Sequence, residues 1–300
     1  MNVVIRVDNE TRDKMIEYYK DKRREKTPPY AIFQAQEEDT IITLYNSNKA
    51  MFQGTSAYVD ANMWKSVIAN DKEDEDINKY KDTNAIGSDE VGTGDYFGPI
   101  VVTATYVNKK DIPFLKNLKV QDSKKITDDI ILKIAPEIIK KIKYKSIILS
   151  NEEYNEKYSK ETNMNKIKAI MHNKALSSLK EEIEKEKQPI DYIIIDEFAK
   201  EKKYYEYLNN VPNVLKNITF ITKAEDKNYA VAAASIISRY ILLKEFDKMS
   251  DTYHIPIPKG SGHNVDTIGE EIVEKYGKEI LNKIAKKNFS NTSRILKTRI

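Results

Sequence analysis

The chain has 300 residues, 40% of them hydrophobic, which is enough for about two domains with cores of their own. Its 50 basic and 47 acidic side chains leave a net charge of only +3, so overall charge does not indicate nucleic-acid binding. The absence of cysteine excludes disulfides and thiolate zinc sites, and we expect a cytoplasmic protein. The sequence shows neither the roughly 20-residue apolar run of a membrane span nor the apolar core of a signal peptide.

The first 70 residues predict a small α+β domain. A strand over residues 1–7 is followed by a charged helix over 10–24 and then by three short strands with alternating polarity. The outer face of this sheet is predicted to be polar, as is typical of a wet surface and also of a platform for a nucleic-acid backbone. The side chains on it are Gln34, Gln36, Thr43, Tyr45, Lys49 and Gln53. Residues 71–83 are rich in acids and poor in apolar side chains, so we interpret them as a linker.

The segment 85–107, AIGSDEVGTGDYFGPIVVTATYV, joins adjacent acids, a glycine cluster and an apolar run. Residues 85–88 and 100–107 are predicted strands, and the glycine-rich residues between them form a turn. Asp89 and Glu90 therefore stand at the mouth of a hairpin. Two carboxylates this close are either turn residues, a proton-sharing dyad or a metal site. A dinucleotide-binding loop is excluded, because a strand and not a helix follows the glycines.

Two further acids stand at the ends of elements predicted in the rest of the chain. Asp196 ends an apolar strand, where an open α/β sheet collects its ligands, although capping of the next helix is the alternative. Glu225 begins a helix whose small residues 232–235 would let it lie close against a sheet. His172 falls inside a helix predicted over 164–187 and receives no role, since a lone helical histidine more often packs or faces solvent.

Six basic residues and no acid occupy the last twenty positions, which suits either a polyanion site or a solvated helix end. They are Lys283, Lys286, Lys287, Arg294, Lys297 and Arg299.

Three segments thus bring carboxylates to the ends of strands or helices, within a predicted α/β fold that has a mixed sheet flanked by helices. Together Asp89, Glu90, Asp196 and Glu225 would neutralise two divalent cations. Ligands that are all oxygen favour Mg2+ or Mn2+ over zinc.

The motifs DEVGTGDYFGPIVV, DSKK, IIIDEF and KAEDKNYAVAAASIISR resemble the type 2 ribonuclease H family, and in particular its bacterial ribonuclease HIII branch. Thr93 between the two glycines and Glu225 as the last acid are features of that branch. The resemblance covers essentially the whole chain. It implies an RNase H-like catalytic domain over residues 84–300 and a substrate-binding domain over residues 1–70 that is similar to the TATA-box-binding-protein fold.

The resemblance also implies endonucleolytic cleavage of the RNA strand of RNA/DNA hybrids, with two metal ions, leaving a 5′-phosphate and a 3′-hydroxyl. It makes Asp89, Glu90, Asp196 and Glu225 the catalytic, metal-binding acids. Substrate contacts would come from loop residues, namely Gly92, Thr93, Gly94, Ser123, Lys124 and Lys259. We expect a monomer, since no feature of the sequence requires a second copy.

Two alternatives stay open. A glycosidase also uses paired carboxylates but needs no metal, so it would remain active in chelator. A non-catalytic hybrid-binding protein would bind a labelled RNA/DNA hybrid without cutting it.

Overall fold

A computed structural model describes residues 2–65, 79–120 and 126–297. The chain divides into two compact units, Met1–Glu75 and Asp76–Ile300. Positions 71–78 of the predicted linker lie outside the described residues, as do Ser123, Lys124 and Arg299. Within the described ranges, no helix has the length and apolar character needed to cross a membrane.

The N-terminal unit is a four-stranded antiparallel sheet in the order β1-β4-β3-β2 with two helices packed on one face. Its elements are β1 (Asn2–Arg6), α1 (Asn9–Tyr18), β2 (Ala31–Glu37), β3 (Thr40–Tyr45), β4 (Lys49–Gly54) and α2 (Ala57–Lys65). Met15 and Tyr19 at one helix and Trp64 on the other pack with Phe33 and Phe52 of the sheet. The predicted α+β arrangement is confirmed.

The opposite face of this sheet, predicted to be polar, carries side chains that are mostly half-buried or exposed. Thr43 is the exception, because it is fully buried and its Oγ1 accepts a hydrogen bond from Gln34 Nε2 at 3.0 Å. Gln34 and Thr43 are direct neighbours across β2 and β3, which explains how the longer side chain covers the shorter one. Arg6 and Lys49 are neighbours in the same way across β1 and β4, and both are exposed.

The C-terminal unit contains a five-stranded sheet in the order β7-β6-β5-β8-β9. The pairs β7–β6 and β6–β5 are antiparallel, whereas β5–β8 and β8–β9 are parallel. The predicted mixed sheet flanked by helices is therefore confirmed. The elements are β5 (Ala85–Val91), β6 (Ile100–Val107), α3 (Ile112–Asn117), α4 (Asp128–Lys141), β7 (Lys143–Leu149), α5 (Asn151–Lys157), α6 (Met164–Lys185), β8 (Tyr192–Asp196), α7 (Glu201–Tyr207), β9 (Thr219–Ile221), α8 (Ala224–Lys227), α9 (Tyr229–Tyr253), α10 (His263–Tyr276), α11 (Ile280–Ile284) and α12 (Ser290–Ile295).

Helices cover both faces of this sheet. On one face α4 and α9 form a buried apolar cluster with β5, and on the other face α6 does so. The contact between β5 and α9 is closest at Gly87, where an added Cβ atom would lie 2.5 Å from the Val231 nitrogen and 2.8 Å from the Ala230 carbonyl carbon. Small buried residues over 232–235 match this close approach, as the sequence predicts. Thr105 Oγ1 also donates to the Ala230 carbonyl at 2.7 Å, which ties the start of α9 to β6.

We expect Gly87→Ala to destabilise the C-terminal unit by about 1–3 kcal/mol, because the new methyl group overpacks the β5–α9 contact. Gly94→Ala is the matched control, since a Cβ atom there meets nothing within 4 Å, and its effect should stay within about 0.5 kcal/mol. Urea unfolding should be followed by far-ultraviolet circular dichroism, because the single tryptophan, Trp64, lies in the N-terminal unit. Equal stability of the two variants would contradict the packing account.

Candidate active site

Parallel pairing of β5 with β8 places Asp89 and Asp196 at the same end of the sheet. The last paired residues are Ser88 and Ile195, so the two acids come next on adjacent strands. Both are half-buried. They stand at the carboxyl ends of parallel strands, which is the edge where open α/β sheets bind ligands.

Glu225 reaches the same end of the sheet through a short connection. β9 pairs with β8 so that Ile221 lies beside Asp196. Lys223 then adopts a left-handed backbone conformation with φ of 54°, which turns the chain sharply after the strand. The next backbone N–H, that of Ala224, donates to Asp196 Oδ1 at 3.1 Å. This hydrogen bond fastens α8, and with it the half-buried Glu225, to the end of β8.

Glu90 is turned in another direction. β5 runs to Val91 rather than ending at Ser88 as predicted, because Asp89 and Glu90 are both paired with residues of β6. Successive side chains on a strand alternate between its faces. Glu90 therefore lies on the face that α6 covers, and Asp89 lies on the face that α9 covers.

On the α6 side, Glu90 lies in a compact polar group that we call the Glu90 cluster: Ser88, Glu90, Lys168, His172 and Phe198. Lys168 Nζ is 2.5 Å from Glu90 Oε1, and His172 Nε2 is 2.9 Å from Glu90 Oε2. The other ring nitrogen, His172 Nδ1, is 2.8 Å from Ser88 Oγ. Phe198 stacks on the His172 ring at 5.4 Å between centroids and lies 4.1 Å below Lys168 Nζ. Both carboxylate oxygens of Glu90 thus have fixed partners.

The Glu90 cluster is nearly closed to solvent, since the side chains of Glu90, Lys168 and His172 are 13%, 10% and 0% exposed. Burial by itself would raise the pKa of Glu90. The hydrogen bond from His172 and the positive charge of Lys168 outweigh it and hold that pKa well below its ordinary value. Glu90 is therefore kept ionised and in one orientation.

His172, to which the sequence gives no role, is buried in the structure, and its ring bridges Ser88 and Glu90. Lys168 is a second contact residue that the sequence analysis did not single out. The two residues are four positions apart on α6 and so lie on one face, beside the buried apolar residues Ile167 and Met171. Two basic side chains on the buried face of a helix were the available signal.

The glycine-rich turn after β5 is enclosed by neighbouring atoms at its start and exposed to solvent at its tip. Gly92 has φ of 88°, and a Cβ atom there would overlap the Pro99 carbonyl oxygen, so the fold itself requires glycine at this position. Thr93 is half-buried. Gly94 is exposed, and an added Cβ atom would meet no other atom within 4 Å. The tip, residues 92–94, is therefore enclosed at Gly92 and presents its backbone to an open surface at Gly94.

The loop that contains Lys259 lies against this turn. Gly260 N donates to Asp95 Oδ1 at 2.5 Å, and Tyr96 N donates to the Gly260 carbonyl at 2.8 Å. Lys259 itself is paired with Asp128 at the start of α4, and Asp128 also accepts a hydrogen bond from Arg239 Nε at 3.1 Å. The structure thus brings the Lys259 loop to the glycine turn and engages its ammonium group with a carboxylate.

The acids at the sheet end match a hard divalent cation in donor type, because Asp89, Asp196 and Glu225 supply only carboxylate oxygens. Within the described ranges, no three histidine, aspartate or glutamate side chains are already arranged to hold a metal ion. The site is thus an acidic strand end beside an open backbone turn, with a fourth carboxylate fixed by a lysine and a histidine.

We expect Lys168→Met to destabilise the C-terminal unit by about 2–3 kcal/mol at neutral pH, because it removes one cation from a buried carboxylate while His172 remains. Pairing lowers the pKa of Glu90 from its ordinary 4.5, so its contribution to stability exists above that pH and is lost on acidification. The difference in free energy of unfolding between the wild type and Lys168→Met should therefore become smaller below pH 4.5. Lys174→Met, at an exposed position of the same helix, is the control.

Urea unfolding in chelator measures this effect, with chelator present so that no metal ion shares the carboxylate. A Lys168→Met protein as stable as the Lys174→Met protein at neutral pH would show that the ion pair adds nothing to stability.

A family model described as Ribonuclease HII matches residues 86–292. A second model, described as Domain of unknown function (DUF3378), matches residues 2–76. The two matches fall on the two compact units and together account for most of the chain.

Two proteins that are similar to this chain over nearly their whole length are both named Ribonuclease HIII. Ribonuclease HIII of Listeria monocytogenes serotype 4b (strain F2365) is 40% identical over 304 residues, which cover 99% of this chain and 98% of that protein. Ribonuclease HIII of Bacillus cereus (strain ATCC 14579) is 39% identical over 307 residues, with the same coverage of 99% and 98%. The crystal structure of Bst-RNase HIII in complex with Mn2+ is similar with a TM-score of 0.73, 35% identity and coverage of 99% and 98%. The resemblance seen in the sequence motifs is confirmed, and the chain belongs to the ribonuclease HIII family.

Proposed function

We propose that this chain hydrolyses the RNA strand of RNA/DNA hybrids endonucleolytically and leaves a 5′-phosphate and a 3′-hydroxyl. The observation that carries the proposal is that Asp89, Asp196 and the helix start with Glu225 lie at the same end of the sheet, next to an open glycine turn. Membership of the ribonuclease HIII family supports this reaction.

Asp89, Glu90, Asp196 and Glu225 would hold two Mg2+ or Mn2+ ions. The similar Bst-RNase HIII was crystallised in complex with Mn2+, which supports an ion of this class. Divalent ions bound by these carboxylates would supply an activated water and charge stabilisation for the leaving oxygen of the phosphodiester. Glu90 is already ionised, but Lys168 and His172 hold both of its oxygens on the other face of β5, so it would share or exchange one of these partners on binding an ion.

The tip of the glycine turn is proposed to read the ribose. Its backbone at Gly92, Thr93 and Gly94 would contact 2′-hydroxyl groups, which are what distinguishes RNA from DNA at a given position. The open space around Gly94 supports this role, since a nucleotide can approach its backbone closely. Lys259, together with Ser123 and Lys124, would contact phosphates and set the register of the strand. Asp128 would then compete with phosphate for the ammonium group of Lys259.

The N-terminal domain, residues 1–70, is proposed to bind the hybrid through the sheet face that its helices leave uncovered. That face is mostly polar, although Val4 and Met51 also lie on it, and it carries the exposed pair Arg6 and Lys49. Contacts of this kind go to the sugar-phosphate backbone and add affinity without sequence preference.

We further propose that the protein acts as a monomer in the cytoplasm. All four acids come from one chain, so the site needs no residue from a second copy. A chain without cysteine suits a reducing compartment.

Asp89→Asn should bind the hybrid but cleave it at least about a hundredfold more slowly, because several kcal/mol of charge stabilisation correspond to two or more decades of rate. The assay is single-turnover cleavage of a labelled hybrid in Mg2+, with affinity measured separately in chelator. Asp82→Asn, at an exposed position of the same unit, is the control. Cleavage by Asp89→Asn at the wild-type rate would refute the assignment.

Chelator should also abolish cleavage by the wild-type protein. Full activity on a carbohydrate substrate in chelator would favour the glycosidase alternative instead.

Replacing both Arg6 and Lys49 by alanine should weaken hybrid binding and reduce the slope of log affinity against log salt by about 2, roughly one for each lost phosphate contact. The rate at saturating hybrid should not change, because the catalytic acids lie in the other unit. Fluorescence anisotropy at several salt concentrations measures the slope. Lys14→Ala, on the helix that covers the opposite face, is the control. Unchanged affinity and slope in the double variant would remove the sheet face from the binding surface.

A further inference from the structure

Lys286 is a buried lysine for which the proposed reaction has no direct use. The residue is 0% exposed, so our interpretation of it as one member of a basic surface patch is wrong. Its Nζ donates to the Asp95 carbonyl at 2.8 Å and to the Gly98 carbonyl at 2.6 Å. Its backbone N–H donates to the Tyr96 carbonyl at 2.8 Å. One residue thus binds three carbonyl groups of the glycine turn.

These three carbonyl groups belong to residues 95–98, which we call the turn base. The turn base has further hydrogen-bond partners. Gly98 N donates to the Ile284 carbonyl at 3.0 Å, and Asn151 Nδ2 donates to the Gly98 carbonyl at 3.0 Å. Tyr96 N donates to the Gly260 carbonyl at 2.8 Å. The peptide groups of the turn base are therefore fixed from several sides, and Lys286 is the side chain that joins its two ends.

The tip over residues 92–94 is built differently. Gly94 has no neighbour against which even a methyl group would pack, and the tip is continuous with the turn base through Asp95. Gly92, at the other end of the tip, is enclosed beside the Pro99 carbonyl, so it is the position of Gly94 that depends on how firmly the turn base is held.

Burial of Lys286 costs free energy, because its amine loses contact with water. Burial also changes how readily the amine is protonated. It lowers the pKa of Lys286 to about 7, although the nearby Asp95 acts in the opposite direction. An apolar side chain of similar length would fill the same space without desolvating an amine. Lysine differs from such an apolar side chain because its Nζ donates hydrogen bonds to both ends of the turn base. These bonds fix the backbone of the turn in one conformation.

We propose that Lys286 is a positioning residue for substrate selection, which fixes the turn base so that the tip presents its backbone to the ribose. The inference rests on the proposed function, because it takes the tip as the element that recognises the 2′-hydroxyl group. Lys286 itself is not proposed to contact the hybrid or the four catalytic acids. Its effect reaches the substrate through Asp95 and Gly98.

The test compares the affinity of the full chain for an RNA/DNA hybrid with its affinity for a DNA duplex of the same sequence, in chelator. In Lys286→Met the ratio of the two affinities should fall by at least about fivefold, the effect of roughly one lost net hydrogen bond. A purely structural role would reduce the folded fraction and weaken both duplexes equally, so it would leave this ratio unchanged. Lys278→Met, an exposed lysine of the same unit, should keep the wild-type ratio.

A second variant covers the case in which Lys286→Met does not fold. Asn151→Ala keeps the lysine but removes the other donor to the Gly98 carbonyl, and it should lower the ratio in the same direction by a smaller factor. A wild-type ratio in folded Lys286→Met, or in Asn151→Ala when the first variant does not fold, overturns the role of Lys286. A wild-type protein with no preference for the hybrid would instead refute the ribose-reading function of the tip.

Discussion

The parallel pairing of β5 with β8 is the constraint on which the site depends. Its register stops at Ser88 and Ile195, and the next residue on each strand is an acid. A slip of one residue would turn one of these acids to the opposite face of the sheet. The register is protected by burial on both faces, and most tightly at Gly87, where α9 approaches too closely for any larger residue. Packing in the middle of the sheet thus determines where charge appears at its end.

Carboxylates that meet at one sheet end repel one another, and the protein treats them in two ways. The charge of Glu90 is balanced by Lys168, and His172 donates a hydrogen bond to it, at the cost of burying three polar groups together. Asp89 and Asp196, where the pairing of β5 with β8 stops, are only half-buried and so remain partly exposed to solvent. In the proposed site, Glu90 would supply a carboxylate in a fixed orientation, and Asp89 and Asp196 would bind the metal ions.

Much of the fold follows from local pattern. The strands Thr40–Tyr45 and Ile100–Val107 begin and end where their alternating or β-branched residues predict. Asp89, Asp196 and Glu225 were identifiable because each stands at the end of an apolar segment or at the start of a helix. The Glu90 cluster and the burial of Lys286 were not, because both depend on contacts between residues far apart in the chain. The same holds for β5, whose pairing with β6 outweighs the low strand propensity of its two acids.

The central claim is that four carboxylates from three separate segments act on one phosphodiester through shared metal ions. A crystal structure of the protein with Mn2+ and an uncleaved hybrid analogue tests it most directly, because the anomalous signal of manganese locates each ion. The account predicts manganese bound by oxygens of Asp89, Glu90, Asp196 and Glu225, with the ribose beside residues 92–94. Manganese bound elsewhere, or a hybrid that passes this end of the sheet without contact, would contradict it.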